Sequence, residues 1–177
     1  MGPKEWMILG LGIVMGCVFG LYAIHKLQKK HMRTEIEAAV RPFFSNIQFS
    51  WHPDSHFYHL EFSTEDTSYL VKVVRINPSH ELILTSPRSW CVNANPRDWK
   101  RQSRPDLIPG VETFLNYRLD NPRQQVKIAL IYPGCHNISR YLNESDVELV
   151  SWQKPVNGIH FVRRDELPNF FGHVERK

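Results

Sequence analysis

The chain has 177 residues, 42% hydrophobic and 23% charged, with 12 Pro and 3 Cys. That length buries a core without staples, and the composition excludes collagen, a coiled coil, low-complexity disorder and a disulfide scaffold. The net charge of +4 lies entirely in residues 1–33, where Lys4, Lys26, Lys29, Lys30 and Arg33 face only Glu5, so residues 34–177 are neutral and nucleic acid is not an expected partner.

After a short tail at 1–5, residues 6–24 read WMILGLGIVMGCVFGLYAI, without a charge. A helix of this length spans about 30 Å, the hydrocarbon thickness of a bilayer. Trp6 and Tyr22 stand near its ends, where amphipathic rings favour the membrane interface. The run is too long for a cleaved signal peptide and ends in a basic stop, HKLQKKHMR. The expectation is a retained single-pass transmembrane helix, with the lipid bilayer as its first partner. Lys26, Lys29, Lys30 and Arg33 set the topology: the N-terminus outside, the C-terminal domain cytosolic. Endoplasmic reticulum and mitochondrial outer membrane are not distinguished by these residues. Gly12, Gly16 and Gly20 recur every four residues and form a smooth stripe for a homo-oligomer through the helix; Gly is also common in membrane helices generally. Cys17 lies beside the stripe.

Residues 25–46 form a basic juxtamembrane segment and linker. Within it, 34–44 (TEIEAAVRPFF) predicts a separate short helix, with Thr34 as N-cap, Glu37 three residues on and Pro42 as breaker. The remaining 47–177 are the expected domain. Strand chemistry appears at 47–51, 57–62, 69–76 and 81–84, with polar 63–68 as a connection. Residues 86–109 look irregular, with four prolines. A helix is predicted at 111–119. The apolar run 126–132 (VKIALIY) fits a strand covered on both faces and ends at Pro133-Gly134. Next come a helical turn or two at 138–142, strands at 147–150 and 160–162, and a closing helix at 165–171 (DELPNFF). This order gives an α/β (α+β) domain: a mixed sheet with flanking helices.

Four constellations invite chemistry. His52-Pro53-Asp54 is the tripeptide of J-domain co-chaperones, but strand-like flanks make a turn the better reading. His52, Asp54, His56 and His59 crowd together, yet alternate residues of a strand diverge, so no metal site is expected. RDWKRQSR holds Arg97, Trp99, Lys100, Arg101 and Arg104, which read either as a solvated loop or as a lipid or phosphate contact. Cys135-His136 follows an apolar strand without an orienting acid, which favours a buried, inert thiol. Two sequons, at Asn137 and Asn143, carry glycans only if the domain is lumenal, where a Cys91–Cys135 bridge would also be permitted.

The pieces FYHLEF…SYLVKVVRI, ELILTSPRSW, VKIALIYPG and HFVRRDELPNFF resemble, in order, a nuclease-related (NERD-type) domain of the PD-(D/E)xK superfamily. The resemblance implies a strand hairpin that carries metal-binding acids and a lysine. Here Lys72 falls on the acid's place and Val74 on the lysine's, and a cation repels Mg²⁺ from that position. The implied domain is therefore a non-catalytic interaction or scaffold module without cofactor, awaiting an unidentified protein partner. The alternatives are a divergent Mg²⁺-dependent nuclease using Glu61 and Lys72, and a membrane-organising protein that oligomerises through its glycine stripe.

Overall fold

A computed structural model describes residues 3–44, 47–53, 55, 57–94, 106–120, 123–143 and 146–174, with side chains from Val14 onward. The chain divides into two compact units, Met1–Ala39 and Val40–Lys177.

The first unit is helical. One helix, α1, runs from Pro3 to Val40 without interruption. The separate helix expected at 34–44 does not exist, and Thr34 is not a cap. Its Oγ1 donates to the Lys30 carbonyl one turn back at 3.1 Å, which satisfies the hydroxyl without breaking the helix. The surrounding Lys, Gln, Met, Glu and Ala are good helix formers, so nothing stops propagation. Pro42 marks the end: it sits in a 3₁₀ turn, Arg41–Phe43, beyond which the backbone is extended. Among the described residues no helix is long and apolar enough to cross a membrane; the side chains of 6–13, eight residues of the uncharged run, lie outside them.

The second unit holds, in chain order, β1 (Ser50–Trp51), β2 (Leu60–Ser63), β3 (Thr67–Ile76), β4 (Glu81–Ser86), β5 (Ser89–Asn93), β6 (Asp106–Leu107), α2 (Val111–Asn116), β7 (Gln124–Pro133), β8 (Ile138–Tyr141), β9 (Val147–Leu149), β10 (Ile159–Arg163) and α3 (Leu167–Val174). The fold is mixed α/β, but with two five-stranded sheets in place of one: β1-β2-β3-β7-β10 and β6-β5-β4-β8-β9. In the first, β3 and β10 flank β7 in parallel. In the second, β4 and β8 are parallel. The chain thus runs through the first sheet as β3, turns at Asn77-Pro78, and enters the second as β4. It repeats the move from β7 to β8 past Pro133-Gly134.

Leu70, Val74, Ala129, Ile131, Ile159 and Phe161 of the first sheet meet Leu82, Leu84, Trp90 and Ile138 of the second in one core. The Trp90 and Phe161 rings touch edge-on at 4.8 Å. The other face of the first sheet is covered by α3, whose Phe171 lies against Phe62 and Tyr69. Coverage on both faces is why β3 and β7 read as nearly continuous apolar runs. Residues 138–142, expected to be helical, are strand β8. Residues 86–109, expected to be irregular, contain two strands, β5 and β6. Asn157 and Gly158 both have positive φ and close a tight turn bonded both ways between Val156 and Ile159. Asn-Gly is the pair that such turns demand, and it was a readable signal for the start of β10.

Candidate functional site

The hairpin of β2 and β3 carries the two residues of the nuclease alternative. Glu61 pairs in register with Leu70, so Lys72 is its diagonal neighbour and alternation puts both on the face toward the second sheet. Glu61 accepts a hydrogen bond from the Tyr58 hydroxyl at 2.8 Å. Burial, then the bonds to Glu61 and Tyr117, raise the Tyr58 hydroxyl far above its usual range. Lys72 is buried, and burial lowers its ammonium from the usual lysine value.

A third ionisable group, which the sequence reading did not single out, shares that face. Lys127 of β7 pairs with Leu70 from the other side and is buried. Its Nζ donates to the Phe114 and Leu115 carbonyls at 2.8 and 2.6 Å. These are orphan carbonyls in the last turn of α2, where a cation also meets the negative end of the helix dipole. Burial and the nearby Arg118 charge lower Lys127 to about 8. One carboxylate and two ammonium groups thus face the inter-sheet space. That donor set does not fit a divalent metal, which needs several anionic oxygens. Among the described residues no three His, Cys, Asp or Glu side chains converge on a metal position.

Beside Lys72 the sheets part. β2 pairs only with Ser68–Val71, whereas β7 accompanies all ten residues of β3. The second half of β3 therefore borders a cleft of about 560 Å³, lined among others by His59, Lys72, Arg75, Val92, Asp106 and Ile108. The Val73 amide donates to His59 Nδ1 at 3.0 Å, so the neutral imidazole carries its proton on Nε2. His52 bonds to Ser50 Oγ at 2.9 Å, its ring meets Tyr58 edge-on at 5.2 Å, its amide donates to the His59 carbonyl and its own carbonyl accepts from the Ser55 amide. That is the turn expected at Pro53. Asp54 and His56 fall outside the described residues, as do Arg97, Trp99, Lys100, Arg101 and Arg104.

Cys91 and Cys135 are both free and buried. Burial raises both thiols, Cys135 to about 11, which makes them inert at neutral pH. Of the sequons, Asn143 is exposed, and its side chain bonds to Asp146. Asn137 is half-buried and its partner Ser139 is buried, with the hydroxyl bonded to Glu81.

On α1, Val14, Met15, Val18, Phe19, Leu21, Tyr22, Ile24 and Leu27 are each about half exposed or more. At about 100° per residue they point in every direction around the axis. Gly16 and Gly20 have open space beside them; the side of Gly12, like the Trp6 ring, lies outside the described residues.

No family model matches the chain, no curated protein matches it, and no solved structure matches it. The nuclease resemblance thus rests on the residues quoted for it.

Proposed function

We propose that the chain is a single-pass membrane-anchored protein that displays its α/β domain on the cytosolic side as a non-catalytic interaction module. The observation that carries the anchor is the apolar surface of α1 between Val14 and Leu27, exposed around the whole circumference. A helix that packs on a protein surface needs one apolar stripe and keeps a polar back. A helix that is apolar all round needs an apolar solvent. The uncharged residues 6–13 lengthen the same helix to a full bilayer span.

For the domain, support comes from the donor set. Glu61 is engaged by Tyr58, and Lys72 and Lys127 bring positive charge to the face where the resemblance would place Mg²⁺. Glu61 and Lys72 do share a face, which is what the divergent-nuclease alternative requires, but a lone carboxylate leaves the ion underbound. The inter-sheet cleft is then the natural recognition surface of the module, because it joins apolar walls to a few polar groups.

The test is extraction. Membranes from cells expressing the full chain are washed with alkaline carbonate, then floated on a density gradient. The full chain should stay with the floating fraction, and a chain lacking residues 1–25 should leave it. Release of the full chain by carbonate would overturn the anchor.

A further inference from the structure

The continuity of α1 past Thr34 gives the basic segment a geometry that charge counting does not contain. Lys26, Lys29, Lys30 and Arg33 belong to one uninterrupted helix. Their spacing of three, four and seven residues from Lys26 confines them to an arc of about 100°. Lys26 and Lys30 are exposed, and Lys29 and Arg33 are half-exposed. The opposite side carries Leu27 and an ion pair between His31 and Glu35 at 3.6 Å. The helix therefore has one face that is cationic from Lys26 to Arg33, with Glu37 following on the same face one turn further from the apolar run, and a back that is not cationic.

Distance from the apolar run decides what that face meets. With the bilayer boundary at Ile24, Lys26 stands about 3 Å beyond it and Arg33 about 13 Å. Lys26 and Lys29 fall within one Debye length of that boundary, about 8 Å at physiological ionic strength, and Lys30 stands about 1 Å beyond it. We propose that this face is a lateral binding site for anionic lipid headgroups, drawing phosphatidylserine-like lipids to one side of the anchor. The inference rests on the anchor reading. Four cations spread evenly around a helix serve topology equally well; a single face selects and orients a lipid. Arg33 has five N–H donors and Lys29 three, so a bond elsewhere in the protein leaves donors for a phosphate.

The experiment uses the full chain reconstituted into phosphatidylcholine vesicles that contain some phosphatidylserine. Trace spin-labelled phosphatidylserine or phosphatidylcholine reports the fraction of lipid immobilised by the protein. The serine lipid should be favoured by about threefold or more at low salt. At 1 M salt, where the Debye length falls to about 3 Å, the preference should shrink toward equality. It should also vanish in a K26Q/K29Q/K30Q/R33Q variant, since Gln keeps helix propensity, and persist in K154Q, an exposed lysine on the domain. Equal immobilisation of both lipids in the native chain overturns the proposal, and so does a preference unchanged by the four substitutions. Protein that enters the vesicles without a preference refutes the lipid site alone. Protein that never co-floats with vesicles refutes the anchor, and the lipid site with it.

Discussion

Phe171 of α3 is the side chain on which the C-terminal helix turns. It is buried and meets five rings: Phe43, Phe44, Phe62, Tyr69 and Phe170, at centroid distances of 5.0 to 6.4 Å. Phe171→Ala removes a ring from a closed aromatic cluster, and Phe→Ala in such a core costs about 3–5 kcal/mol. Unfolding entropy for about 140 residues is near 0.3 kcal/mol per kelvin. The expected fall in Tm is therefore about 10–17 °C. Near-UV circular dichroism of the full chain in detergent follows the domain, which holds most of the aromatic residues, whereas the far-UV signal includes the long helix α1. Phe171→Leu keeps most of the volume and should fall by less than about 5 °C. A Tm within about 3 °C of native for Phe171→Ala would refute the assignment of α3 as an integral layer on the first sheet.

Lys127 makes stability depend on pH. Its folded value of about 8 lies below the free value of 10.5, so between those limits the unfolded chain binds more protons and stability rises with pH. Buried thiols and tyrosines are raised instead and oppose this at higher pH. The signature is thus a difference: urea midpoints should rise more from pH 8 to 10 in the native chain than in Lys127→Met, and parallel curves would contradict the reading. Cys91 and Cys135 should resist thiol reagents at pH 8 until the domain is unfolded; fast labelling of either in the folded chain would disprove their burial. Plasmid DNA with Mg²⁺ should remain uncut by the full chain, whereas cleavage that disappears in Glu61→Ala would establish the nuclease alternative. Endoglycosidase treatment should leave gel mobility unchanged, and a downward shift would place the domain in the lumen.

The sequence by itself determined whatever depends on one segment's own residues. The helix through 6–24 was legible because a helix satisfies its backbone internally and the run holds no proline to interrupt it. β3 and β7 were legible because strands covered on both faces show as unbroken apolar runs. The turn at His52–Ser55 and the closing helix around Phe170 and Phe171 followed from local chemistry as well. Strand β8 did not, since Ile138–Tyr141 is too short to carry a period and becomes a strand by pairing with Leu82–Leu84. The same holds for the division into two sheets: whether β4 continues the plane of β3 or leaves it depends on what each packs against. Lys127 was hidden for a related reason. A lysine in an apolar strand signals nothing until the fold brings the last carbonyls of α2 over it. That Thr34 lies within a helix rather than at its start was decided locally: a threonine suits either role, and the preceding turn of the same helix supplies its acceptor. Local propensity proposes an element; the pairing of distant backbone groups, and the cost of burying a charge unpaired, decide which elements meet and where.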